Sequence, residues 1–232
     1  MSDNADINTT LGRIKEAYRT LLGEFGSQEW WPGDGPFEVM VGAVLTQGTS
    51  WKNVELALAR LKEAGLLNET ALASAEPDLV RELVRPAGFQ RRKHATVQRL
   101  AVTAARRPGG LGVMLSLGPG ELRELLLSIH GVGRETADAI MLYAAQHPVF
   151  VVDAYTRRFA ERHRLVSPGA SYERISELFS EAMGGDVHDM QEMHALVVRL
   201  GKLYCRPAAR CDGCPLRADL QGPCGRHAEH HS

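Results

Sequence analysis

The chain has 232 residues, of which 44% are apolar and 24% charged. That length and balance exclude a disordered chain and allow a sizeable buried core in one large or two small domains. No stretch approaches the roughly 20 apolar residues of a membrane span. The start, MSDNADINTT, carries acids where a signal peptide would carry bases, so a cytoplasmic protein with no membrane partner is expected, acting as a monomer.

The net charge of −1 conceals an uneven distribution. Residues 1–40 hold seven acids and three bases, whereas residues 85–108 hold seven bases (Arg85, Arg91, Arg92, Lys93, Arg99, Arg106, Arg107) and no acid. Residues 199–226 add six bases against Asp212 and Asp219. Each block alone could be a solvated helix face; two together can form a one-sided face for a polyanion.

In chain order, Leu11, Ile14, Tyr18, Leu21, Leu22 and Phe25 repeat with helical spacing, and Thr9 or Thr10 can cap that helix. A Gly/Pro-rich loop spans 26–36, and Pro36 opens an apolar helix running to about Gln47. Further helices are predicted near 52–64, 76–84, 91–107, 119–129, 134–146, 154–163, 171–184 and 187–204. Val149 to Val152 is the one good strand candidate and reads equally as a buried connector. The class is therefore all-α. The end of the chain from Gly225, with His227, His230 and His231, reads as a disordered tail.

Two segments carry chemistry. In LLLSIHGVGRETADAI, two amphipathic helices flank Gly131-Val132-Gly133. The glycines permit a tight reversal and close approach to a partner, Val132 can anchor the turn, and the amides opening the second helix can bind a phosphate. An ordinary helical turn has the same pattern. Asp153 stands 20 residues beyond Gly133, after the apolar VFVV. Alone it reads as the N-cap of the next helix. The roles are compatible, because a cap holds a carboxylate rigidly for work on a reacting sugar. Cys205, Cys211, Cys214 and Cys224 follow as C-x5-C-x2-C-x9-C. Four thiolates so close suit an iron–sulfur cluster; zinc is the rival, although zinc ribbons usually pair two CxxC knuckles and only one is present.

The hairpin, PVFVVDAYTRR and the cysteine cluster together resemble the helix-hairpin-helix DNA glycosylases of the endonuclease III superfamily. PFEVMVGAVLTQGTS resembles that superfamily's early helix and Gln-containing loop, and AGFQRRKH its second DNA-contacting loop. The resemblance covers residues 10–225. It implies a two-lobed fold, with a six-helix lobe at 30–148 and a second lobe from 1–29 plus 149–232 carrying a C-terminal iron–sulfur loop. It implies double-stranded DNA containing a damaged base as partner, a [4Fe–4S] cluster on Cys205, Cys211, Cys214 and Cys224, and Asp153 as catalytic carboxylate. Gln47 would enter the base stack and Phe89 would be the apolar wedge, although Phe89 equally reads as core. Arg91, Arg92, Lys93, Gly131, Val132, Gly133, Arg134 and Thr136 complete the expected DNA contacts.

Bifunctional members carry a Lys two residues after the second hairpin glycine, where it forms a Schiff base with the sugar. Glu135 stands there in this chain, and a carboxylate forms no imine. A monofunctional enzyme using water is therefore expected, with Glu135 at the pocket mouth. WWP at 30–32, LTQ-x-T before Trp51, VRPAGF and GVGRETADAI also resemble 3-methyladenine DNA glycosylase III. That resemblance makes Trp30, Trp31, Pro32 and Trp51 pocket candidates for an alkylated base, since cationic purines stack well on indoles. The cysteine cluster departs from that branch, and its gaps of five and nine depart from the six and five usual in endonuclease III. An oxidised-pyrimidine glycosylase and a non-catalytic DNA-binding protein with a structural cluster are the alternatives.

Overall fold

The structure is a computed structural model that describes residues 2–220. Twelve α-helices occur among these residues: α1 (Ser2–Phe25), α2 (Pro36–Leu45), α3 (Trp51–Glu63), α4 (Glu69–Ser74), α5 (Pro77–Leu83), α6 (Gln90–Arg106), α7 (Gly110–Leu115), α8 (Pro119–Ser128), α9 (Arg134–Tyr143), α10 (Ala154–Arg162), α11 (Tyr172–Ala182) and α12 (Val187–Leu203). The chain divides into two compact units, one of Trp31–His147 and one of Met1–Trp30 with Pro148–Ser232.

In the unit of Trp31–His147, α2 is the central rod. Val39, Met40, Val41, Val44 and Leu45 are all buried, as expected of a helix apolar around most of its circumference. It packs against α3, α6 and α9, while α4 and α5 rest on α6. Helices α4 and α7 are six residues each. The periodicity did not show them, because so short a helix offers one or two core-facing positions; Leu72 and Met114 serve. Helices α8 and α9 pack together as the hairpin, joined by the pair between Arg123 Nε and the buried Asp138 at 2.9 Å.

In the other unit, α1 packs on α11 and α12, and α10 packs on α12. Ile14 and Leu21 supply its buried stripe. The helix begins at Ser2, so Thr9 and Thr10 lie inside it and do not cap it. The polar first two turns have no apolar periodicity to announce them, which is why the sequence reading started the helix late. Val149 to Val152 forms no strand. Phe150, Val151 and Val152 are a buried extended connector. The connector is held from α11, where the Ser180 hydroxyl accepts the Phe150 amide at 3.0 Å and the Ser176 hydroxyl donates to the Phe150 carbonyl at 2.7 Å. Side-chain partners of this kind satisfy the backbone without a neighbouring strand.

Candidate active site

The hairpin turn depends on one glycine more than the other. Gly131 has φ +97°, and a Cβ there would lie 2.1 Å from Thr96 Oγ1 of α6. Gly131 is therefore required twice, for its left-handed backbone and for contact with α6. Gly133 has an extended φ of −96° and open space around its Cα. Val132 is buried, and its amide donates to Ile129 O at 2.9 Å. The first regular bond of α9 runs from Ala137 N to Gly133 O. The preceding amides lie at the positive end of the helix dipole, where phosphates bind. Gly131, Gly133, Arg134 and Glu135 are exposed, while Thr136 is buried.

Gln47 reaches this turn. Its Nε2 donates to Thr136 Oγ1 at 2.8 Å and to Gly131 O at 3.3 Å. Beside it is a groove of about 670 Å³, lined among others by Gln47, Phe89, Arg92, Arg99 and His130. Phe89 is 66% exposed and has φ +44°, left-handed for a bulky residue. An aromatic held outward at backbone strain suits a wedge and excludes the core reading. Arg92 is exposed on the same groove. The side chain of Arg91 lies outside the described residues.

Lys93 also lines this groove, but its ammonium is engaged with the protein. It is 3% exposed, and its Nζ donates to Leu45 O at 2.8 Å and Ala87 O at 2.7 Å. Desolvation pulls the ammonium down to about 8. The cation caps the C-terminal end of α2 and the short turn before Phe89, so it braces both loops. The helical stripe Lys93, Val97, Leu100, Ala104, buried throughout, was the signal for this.

The aromatic candidates separate. Trp31 meets Trp51 edge-on with ring centroids 5.1 Å apart, and meets Tyr143 at 5.4 Å. A Cβ at Gly42 would lie 3.2 Å from the Trp31 ring, so that indole lies on the backbone of α2. Tyr143, at the end of α9, was not anticipated. Pro32 is exposed. Trp30 belongs to the other unit, where Lys202 Nζ stands 5.7 Å from its ring centroid. Glu192, 3% exposed on α12, accepts the amides of Gln28 at 2.8 Å and Glu29 at 2.9 Å, fixing the chain just before Trp30.

Asp153 is the N-cap of α10. Its Oδ1 accepts the Thr156 amide at 2.7 Å, and His194 Nε2 of α12 stands 3.7 Å from Oδ2. Its side chain is 14% exposed. Burial alone would raise its pKa; the His194 imidazole and the Thr156 amide outweigh that and hold the carboxyl below its ordinary value. Sequence reading missed His194, because a histidine within the apolar EMHALVV of a long helix reads as core.

From the same helix, Arg158 Nε donates to Cys205 O at 2.6 Å, and Arg162 donates to Cys205 Sγ at 3.3 Å and to Arg206 O at 2.6 Å. Asp219 ties the far side of the cysteine loop to Arg13 at 2.9 Å and to His163 Nδ1 at 2.6 Å. Cys205 is buried and Cys214 half-buried, and burial, with Cys205 close by, pushes the Cys214 thiol up. Among the described residues Cys205 and Cys214 are the free thiols, and the Arg162 guanidinium meets at Cys205 a sulfur that would be anionic as a metal ligand. Cys224 and the tail histidines lie outside the described residues.

The chain thus joins a glycine corner between two helices to a helix-capping aspartate further along, the elements of a helix-hairpin-helix protein. The family model described as HhH-GPD superfamily base excision DNA repair protein matches residues 41–184, and the chain belongs to that family. It is 42% identical over 206 residues to the Methanocaldococcus jannaschii protein named "Putative DNA repair glycosylase", covering 88% of this chain and 94% of that one. It is 27% identical over 186 residues to endonuclease III of Thermotoga maritima, covering 78% and 81% of the two chains. Among solved structures it resembles the H. pylori 3-methyladenine DNA glycosylase bound to 1,N6-ethenoadenine, with a TM-score of 0.71, 26% identity and coverage of 83% and 97%. The protein is thus a base-excision DNA glycosylase of the endonuclease III superfamily, an enzyme that hydrolyses N-glycosyl bonds. Among the described residues no helix is long and apolar enough to cross a membrane.

Proposed function

We propose that this glycosylase removes an alkylated, positively charged purine from double-stranded DNA without cleaving the strand. The observation that carries the reading is the group of Trp31, Trp51 and Tyr143 with centroids 5.1 and 5.4 Å apart. An electron-poor methylated base extruded from the stack gains from aromatic faces, by cation–π attraction and stacking. The likeness to the 3-methyladenine enzyme supports the same substrate class. The hairpin amides and Arg134 hold a phosphate, Phe89 and Gln47 fill the space the base leaves, and Arg92 contacts the backbone.

Asp153 acts as an anion. As the base departs, the sugar gains oxocarbenium character, which the carboxylate stabilises while it takes a proton from the attacking water. A cationic base is a good leaving group, so no strong general acid is needed. Cys205, Cys211, Cys214 and Cys224 would hold a [4Fe–4S] cluster, whose part is structural: it would fix the loop bearing Arg206 and Arg210 beside the DNA.

The test is base release from methylated duplex DNA, read by chromatography. Methylated purines should appear, and duplexes carrying a single oxidised pyrimidine should remain intact; the reverse outcome would overturn the substrate assignment. Trp51→Ala should lower the rate about 10- to 100-fold, the loss of one base–aromatic stack, while thermal melting changes little. Borohydride added during turnover should trap no covalent protein–DNA adduct, because Glu135 occupies the position of the imine-forming amine. A trapped adduct would assign lyase chemistry to an amine elsewhere in the chain.

A further inference from the structure

The Asp153 carboxylate is hydrogen-bonded at one oxygen and faces an imidazole at ion-pair distance with the other. Oδ1 takes the Thr156 amide of its own helix at 2.7 Å, and Oδ2 faces His194 Nε2 at 3.7 Å. His194 is 6% exposed, and its ring stands edge-on to Phe150 at 6.2 Å. The two helices have little freedom to slide, because Tyr155 of α10 sits on Gly201 of α12; a Cβ there would lie 2.1 Å from Tyr155 Cδ1. The other ionisable groups beside this cap are engaged elsewhere. The Tyr172 hydroxyl of α11 accepts the Val152 amide at 3.3 Å, and the Arg157 guanidinium donates to Ala170 O at 2.7 Å. An imidazole buried in an apolar helix face is costly as packing alone, and its Nε2 is aimed at a capping carboxylate within ion-pair distance.

We propose that His194 is a positioning residue for base release. Its ring holds the second oxygen of Asp153, so that the carboxylate keeps one orientation and stays ionised as positive charge develops on the sugar. This rests on Asp153 being the catalytic carboxylate, and not on which base is removed. Without His194 the cap to the Thr156 amide could form equally through either oxygen, so the carboxylate would lose its single orientation, and the carboxyl would accept a proton more readily.

The experiment is carbon NMR titration of the Asp153 carboxyl in the full-length protein, its signal identified by its loss in Asp153→Asn. In His194→Gln the midpoint should rise. The acid limb of single-turnover base release, measured on whichever lesion the wild-type enzyme accepts, should rise with it, while affinity for duplex with an abasic-site analogue stays unchanged. An unmoved midpoint in folded His194→Gln overturns the proposal. Should that variant not fold, Asp153→Asn, which retains the cap, gives the reciprocal reading. The ring-nitrogen resonances of His194 should shift, and unshifted resonances overturn the proposal. The titration needs no substrate, so a wrong lesion assignment would leave its result standing.

Discussion

Asp153→Asn is expected to lower base release by about 10²- to 10⁴-fold, the range for removing an anion that stabilises charge or activates water. Affinity for DNA should persist, because the hairpin contacts are untouched. The substitution is well suited to separate chemistry from structure. Asparagine caps helices as well as aspartate does, so the bond now made to the Thr156 amide at 2.7 Å can re-form, and α10 keeps its start. Single-turnover chromatography of released bases, alongside a binding isotherm, checks the result; near-normal release would remove Asp153 from the mechanism. A pH signature follows from its lowered pKa. A carboxyl held below its unfolded value of about 3.9 contributes stability that is present above that value and is lost as pH falls through the native one. Denaturant unfolding should therefore weaken less steeply with acid in Asp153→Asn than in the wild type, and the wild-type rate should stay level down into the ordinary carboxylate range.

Gly131→Ala should cost about 1–3 kcal/mol of stability and most of the affinity for DNA. Two causes add. The φ of +97° disfavours any Cβ, and that Cβ would lie 2.1 Å from Thr96 Oγ1. Pairing it with Thr96→Ala removes the hydroxyl and the methyl at 3.1 Å but leaves the backbone strain. The double variant should recover part of the lost stability and not all of it, a coupling that a double-mutant cycle in denaturant would read. Full additivity would mean that Thr96 does not limit the turn. Gly133→Ala makes the contrast: with open space at its Cα and an ordinary φ, it should fold normally and, if the hairpin amides hold a phosphate as proposed, weaken DNA binding alone.

The aromatic group shows what spacing alone does not convey. Trp30 and Trp31 are neighbours in sequence, yet they fall in different units, one under Lys202 and the other on the backbone of α2. Tyr143 joins Trp31 from the end of α9 without any motif to announce it. Lys93 is a similar case. Within a run of bases it reads as surface, but it is buried, with its ammonium on two carbonyls, while Arg92 and Arg99, which line the same groove, are exposed.

Amino-acid order alone determined the helical class, the glycine corner, the capping aspartate and the cysteine spacing, because each depends on interactions within a few residues: helical period, turn conformation, cap geometry. Folding in three dimensions decided what no local pattern records. It set His194 against Asp153, Thr96 against Gly131 and Arg162 against Cys205. Those partners meet only when helices distant in sequence pack, and packing is fixed by the shapes of whole buried faces rather than by any short run of residues.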